Sequence, residues 1–221
     1  MDMNELSAER DEKYFKAFAK DKTLSRAEFN KKHPILPQKK PKGFAAMPRN
    51  FEIDAPSPKH KKLYDALAGY CKKFPQVNPP NLVFCGATGT GKTYTAQILC
   101  NILYDRGFNV HFTTAFGLTQ SLQKYIQSFG QDTEILDRFL NCDLLVIDDL
   151  GAEPTIKNIT AEHIYNIINE RLATGKAFLI TTNLPPSAIF EKYDQRIASR
   201  ILSKLTSTVI EFNGSDLRLS T

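Results

Sequence analysis

The residues best suited to chemistry begin at Gly86. The run Gly86-Ala87-Thr88-Gly89-Thr90-Gly91-Lys92-Thr93 places glycines, a lysine and a hydroxyl at the spacing that wraps backbone around a phosphate. Gly89 and Gly91 reach dihedrals that other residues avoid, so successive N–H groups can turn inward onto an anion. A helix starting at Lys92 adds the positive end of its dipole. Lys92 can reach β- and γ-phosphates as a point charge, and the Thr93 hydroxyl is a hard oxygen ligand suited to Mg²⁺. The expected cofactors are therefore ATP and Mg²⁺, held by residues 86–93 with the adjacent Tyr94. A glycine-rich turn with a chance lysine is the competing reading. The apolar strand before the loop and the helical pattern after it disfavour that reading.

A second constellation lies about 55 residues further on, in Leu144-Leu145-Val146-Ile147-Asp148-Asp149. Four apolar residues predict a buried strand, and two acids sit at its C-terminal end, where ligands bind in open α/β sheets. Asp148 is the expected Mg²⁺ holder, through water. Asp149 is the expected group that orients or deprotonates an attacking water. Tandem acids also occur in ordinary turns; their position downstream of a phosphate loop is what gives these two meaning.

The elements that must position these groups follow from pattern. Strands are predicted at 81–85, 110–114, 144–147, 177–182 and 208–212. Helices are predicted at 59–74, 92–104, 118–129, 161–173 and 196–204. In the first helix Leu63, Leu67 and Tyr70 share one face; in the last, Ile197, Ile201 and Leu205 do. Continuous apolar strands alternating with helices imply a parallel sheet covered on both faces. Ahead of this core, residues 1–32 carry two short helical patterns. Leu6, Tyr14, Phe15, Phe18 and Ala19 recur at helical spacing, and Ser25 and Glu28 have capping-box spacing. Two such helices bury too little to stand alone, so their apolar face either meets a partner or folds back on the core. Residues 33–58 read as a linker, broken by Pro34, Pro37, Pro41, Pro48, Pro56 and Pro58.

Charge is unevenly placed. Residues 1–62 hold 15 Lys/Arg against 9 Asp/Glu, whereas the rest holds 14 against 15. The excess is thus in front of the core, as a nucleic-acid arm or a solvated linker. Cys71, Cys85, Cys100 and Cys142 form no CxxC pair, which predicts buried reduced thiols rather than a zinc site. No apolar run approaches the roughly 20 residues of a membrane span, and the N-terminus has no secretory pattern. A soluble cytoplasmic protein with no membrane partner is expected.

Four stretches together resemble the AAA+ superfamily, and more narrowly its DnaC/IstB group: residues 86–93, Leu-Leu-Val-Ile-Asp-Asp-Leu-Gly at 144–151, Ile-Thr-Thr-Asn at 180–183, and Gln-Arg-Ile-Ala-Ser-Arg-Ile at 195–201. The resemblance covers about residues 50–218. It implies an α/β P-loop NTPase fold, with a five-stranded parallel sheet covered by helices and a small N-terminal helical appendage. It also implies that Asn183 is sensor 1, that Arg200, helped by Arg196, is an arginine finger acting on a neighbouring subunit, and that Arg218 is the C-terminal sensor 2. The alternatives are a turn cap for Asn183 before Pro185 and Pro186, and a solvated basic stripe with Lys204 for the two arginines. Most AAA+ proteins carry Asp-Glu where this chain has Asp148-Asp149, and the shorter Asp149 weakens the match to a general base.

The resemblance further implies an extra helix within 117–138 lining a path for single-stranded DNA, with Lys124, Tyr125 and Phe129 as candidates there. Thr155 and Lys157 are candidates in the loop after the acids. The implied activity is a slow, assembly-coupled ATPase that loads a DnaB-type hexameric replicative helicase, working as a ring or spiral homo-oligomer. The alternative is an IstB-type transposition helper that binds duplex DNA and a transposase. A small-molecule P-loop kinase fits less well, since such kinases carry no trans-acting arginine pair. Deleting residues 1–45 is expected to leave a folded core that still binds nucleotide but no longer captures helicase in a pull-down; retained capture would move docking into the core.

Overall fold

The computed structural model describes residues 58–128, 133–154, 160–193 and 195–214. The N-terminal helices, most of the linker, Phe129, Thr155, Lys157 and Arg218 fall outside the described residues. The elements run α1 (Pro58–Lys73), β1 (Asn81–Gly86), α2 (Lys92–Asp105), β2 (Val110–Thr114), α3 (Ala115–Gln127), α4 (Thr133–Asn141), β3 (Leu144–Leu150), α5 (Thr160–Ala173), β4 (Ala177–Thr182), α6 (Pro186–Lys192), α7 (Gln195–Ile201) and β5 (Ser207–Phe212). All five strands are parallel, in the order β2-β3-β4-β1-β5.

Alternation along the central strands divides the core into two. Leu82, Phe84, Leu144, Val146 and Leu179 point to one face, where Leu67, Tyr70, Leu99 and Leu103 of α1 and α2 cover them. Val83, Leu145, Ile147, Phe178 and Ile180 point to the other, under Leu118, Phe139, Ile164, Ile168, Ile189 and Ile197 of α3 to α7. Strands buried on both sides favour apolar residues on both faces, which is why the central ones read as near-continuous apolar runs. All four cysteines are buried and free. No helix among the described residues is long and apolar enough to cross a membrane.

Several boundaries differ from the pattern reading. Helix α3 starts three residues early because the Thr114 hydroxyl accepts from the Gly117 N–H at 3.0 Å, an N-cap that hydropathy does not show. Strand β3 extends through the acids to Leu150, with a register irregularity against β4 between Ile147 and Leu150. Helix α7 stops at Ile201, and the chain turns through Ser203–Ser207. Leu205, expected on that helix's buried face, is therefore 86% exposed. The short helix α6 was not foreseen; Pro186 opens it, where a missing N–H costs nothing.

The fold also buries a cation that composition could not reveal. Arg171 of α5 is fully buried. Its Nη1 donates to the carbonyls of Phe139 and Leu140 at 2.6 and 3.1 Å, and its Nη2 to those of Cys142 and Ala177 at 3.0 and 2.5 Å. The guanidinium thus satisfies carbonyls left over at the end of α4 and joins them to the start of β4. Arg171→Met should leave those acceptors unsatisfied and lower stability by roughly 3 kcal/mol in urea unfolding; an unchanged midpoint would mean that the carbonyls rehydrate.

Candidate nucleotide-binding site

The loop joining β1 to α2 has the conformation its glycines permit. Gly86, Gly89 and Gly91 lie at φ 140°, 79° and 91°. Gly86 has a second constraint, because a Cβ there would sit 2.2 Å from the Phe212 carbonyl oxygen of β5. The Thr90 hydroxyl donates to the Ala87 carbonyl at 2.8 Å and closes the turn. Lys92 is 4% exposed; its Nζ donates to the Gly86 and Ala87 carbonyls at 2.8 and 2.7 Å. Its ammonium is thereby held over the loop, where an anion bound to the N–H groups of α2 would meet it.

The acids come to this loop through β4, which lies between β1 and β3. Asp148 is 3% exposed, and its Oδ1 accepts from the Thr93 hydroxyl at 2.9 Å and the Thr181 hydroxyl at 2.6 Å. Burial raises the Asp148 pKa, and the two hydroxyl donors oppose that rise. The Thr181 oxygen also accepts from the Asp149 N–H at 2.9 Å. Asp149 lies at φ 55°, the one non-glycine residue with positive φ among those described. That turn sends its side chain to the same cleft as the loop. The cleft, about 460 Å³, is lined by Thr88, Gly89, Gly91, Lys92, Thr93, Tyr94, Asp149 and Asn183, a volume in the range of small-molecule sites.

Lys92, Thr93, Asp149 and Asn183 line one cleft, and Asp148 is hydrogen-bonded to Thr93 beside it. Arg196 and Arg200 lie four apart on α7, and neither lines the cleft. Both stack on Tyr165 of α5, with guanidinium carbons 5.1 and 4.6 Å from the ring centroid. Thr181 is a site residue that the sequence reading gave no role. Its signal was available, since in a strand Thr181 shares a side with Asn183 two residues on. Glu153 was also missed. It is 4% exposed and accepts from the Gly151 N–H at 2.7 Å and from the buried Tyr193 hydroxyl, tying the loop after the acids to the segment before α7. Burial and the Glu153 hydrogen bond push the Tyr193 pKa well up.

Comparison with known proteins decides the family. IstB-like ATP-binding proteins match residues 50–221. The chain belongs to that family. The replicative helicase loader DnaC of Escherichia coli K12 is 27% identical over 129 residues, 58% of this chain and 51% of DnaC. The chain spans about half or less of the length of the curated DnaC and DnaA relatives it matches. A crystal structure of the DnaC helicase loader superposes with TM-score 0.66 at 23% identity, covering 75% of this chain and 97% of that one. Replication initiator DnaA bound to AMPPCP and single-stranded DNA superposes with TM-score 0.64 at 19% identity, covering 75% and 50%. The five-stranded parallel sheet with its phosphate loop is the P-loop AAA+ fold of these neighbours.

The site's donor set fits the ligands of an IstB-like ATP-binding protein. Thr93 Oγ1 and Asp148 Oδ1, 2.9 Å apart, are hard oxygens of the kind Mg²⁺ takes. Among the described residues no group of three or more His, Cys, Asp or Glu could hold a metal. Mg²⁺ commonly keeps few protein ligands and takes phosphate oxygens and waters for the rest. When bound it would supply charge to the phosphates. Lys92→Ala should abolish nucleotide binding without unfolding the chain, which circular dichroism checks. Asp149→Asn should keep nucleotide affinity and lose turnover, whereas Asp148→Asn should weaken the Mg²⁺-dependent part of binding. Fluorescent-nucleotide titration and phosphate release separate these outcomes, and wild-type turnover in Asp149→Asn would put the water in other hands.

Proposed function

We propose that this chain is an ATP-dependent loader of a DnaB-type replicative helicase, which binds single-stranded DNA and hydrolyses ATP between subunits. The carrying observation is the division of the charged groups. Lys92, Asp149 and Asn183 share one cleft, while Arg200 stands outside it on α7. Among the described residues the cleft therefore has a cation, Lys92, for the near side of a γ-phosphate and none for the far side. In this reading Lys92 and the loop N–H groups hold the phosphates. Asp149 accepts a proton from the attacking water, and the Asn183 amide hydrogen-bonds that water or the γ-phosphate. Arg200 of a neighbouring copy stabilises the charge that develops in the transition state. Arg218 serves as sensor 2, and residues 1–32 grip the helicase.

DNA contact is supported by α3. Phe116 is 50% exposed and Lys124 is exposed eight residues on, with Gln120 between them on the same face. An exposed ring and a lysine about two turns apart on one helical face suit base stacking and backbone contact along a strand. The neighbours DnaC, a helicase loader, and DnaA, bound to single-stranded DNA, favour the same reading. The family match to IstB-like proteins favours a second one, a transposition helper acting on duplex DNA.

Two measurements test the proposal. Mixing Arg200→Ala with Lys92→Ala subunits should restore part of the turnover each lacks, since some interfaces pair an intact loop with an intact finger. The finger's expected contribution is on the order of 10³-fold. A mixture as dead as its parents, in variants that still co-assemble, would return Arg200 to the role of a solvated stripe. Fluorescence anisotropy with single- and double-stranded oligonucleotides should show preference for single strands, lost in Phe116→Ala. Preference for duplex, with capture of transposase rather than helicase, would select the IstB-type reading.

A further inference from the structure

We infer that Tyr165 and Asn169 of α5 are positioning residues that hold Arg200 ready for a second copy of this chain. The inference rests on the trans-acting reading of Arg200 and deepens it. Tyr165 and Asn169 are four apart on α5, and Arg196 and Arg200 are four apart on α7, so each pair shares one helical face. The two helices pack together, with Ile164, Ile168, Ile197 and Ile201 in a common core cluster. Above that cluster the polar pairs meet. Arg200 Nε donates to Asn169 Oδ1 at 3.0 Å, Arg200 Nη1 donates to the Arg196 carbonyl at 3.0 Å, and the guanidinium lies 4.6 Å from the Tyr165 ring centroid.

Three contacts on a half-buried arginine remove most of its freedom. An arginine side chain carries much rotamer entropy, and a finger that must be ordered at the moment of reaction would lose that from its effect. Here Nε, Nη1 and the ring face are engaged within the subunit. Each of those partners is neutral: an amide, a carbonyl and a phenol. Among the described residues no acid pairs with Arg200, so its charge is oriented without being cancelled. Arginine suits this division, since its rigid fork can spend some donors internally and present the remainder in a fixed direction. A carboxylate at position 169 would orient the group equally well while cancelling the charge an anionic ligand needs; an asparagine orients without cancelling. Tyr165 acts in the same sense, since a ring face attracts a cation without neutralising it.

A merely structural role and a positioning role differ in which subunit of an assembly shows the defect. Asn169→Ala removes the amide with little volume change, and should lower turnover about 10- to 100-fold, the usual loss for a misplaced catalytic group, with nucleotide affinity unchanged. Tyr165→Leu should do the same, and Tyr165→Phe, which keeps the ring face, should recover what leucine loses. Mixed assemblies provide the deciding readout. Asn169→Ala has an intact phosphate loop and a poor finger, so Lys92→Ala subunits should restore its turnover and Arg200→Ala subunits should not. Restoration by Arg200→Ala instead would mean that Asn169 serves its own cleft, and wild-type turnover in Asn169→Ala would mean that it serves nothing catalytic; either result overturns the clamp while leaving Arg200 as a trans finger. If Arg200→Ala and Lys92→Ala co-assemble without mutual rescue, the trans finger and its clamp fall together.

Discussion

A carboxylate taken out of water needs donors, and at the centre of this domain Asp148 has two threonine hydroxyls. Burial alone would favour its protonated form; Thr93 and Thr181 oppose that by donating to the same oxygen. The two hydroxyls come from different elements, one from the first turn of α2 and one from β4. The hydrogen bonds that make the buried acid tolerable therefore also connect the phosphate loop, the acidic strand and the strand between them. Thr181 has a further part, because its oxygen accepts the N–H of Asp149 at the point where β3 loses register. One hydroxyl thus orients both acids, and the left-handed backbone at Asp149 aims the second into the cleft.

The rest of the sheet serves that junction. The Phe212 carbonyl leaves no room for a side chain at Gly86, so β5 confines the start of the phosphate loop to glycine. Asn81 does comparable work at the other end of β1. Its Nδ2 donates to the Thr206 carbonyl at 2.7 Å, and its Oδ1 accepts from the Phe178 N–H at 3.0 Å. A single buried amide thereby sets β1 against β4 and against the turn before β5. Arg171 repeats the device with a guanidinium between α4 and β4. Buried polar groups with directional partners specify position, whereas apolar packing tolerates sliding. Such groups add fixed points to the backbone ladder of the parallel sheet.

Cation placement gives the domain its direction. Lys92 is folded over the loop, and the arginines of α7 are stacked on Tyr165 away from it. The buried link from Glu153 to Tyr193 connects the loop following the acids to the chain leading into α7. A domain arranged in this way has its anion-binding donors on one part of its surface and the guanidinium groups of α7 on another. Subunits stacked head to tail would join those two surfaces, and heterologous contacts of that kind build rings or spirals.

Much of this was legible in the chain. Glycine spacing located the phosphate loop, and four apolar residues ending in two acids located the second half of the site, because both depend on local backbone chemistry. The two-sided burial of the central strands was equally plain, since it favours apolar residues on both faces. Strand order was not legible: nothing near residue 177 says that β4 inserts between β1 and β3, which is what brings Gly86, Asp148 and Asn183 to one edge. Nor could periodicity show that the last helix ends at Ile201 and leaves Leu205 in solvent, since that depends on where β5 must begin. The buried partners Arg171, Glu153 and Thr181 escaped notice for a common reason. A polar residue in an amphipathic pattern reads as surface, and only the packed structure reveals which carbonyls, hydroxyls and N–H groups are waiting for it.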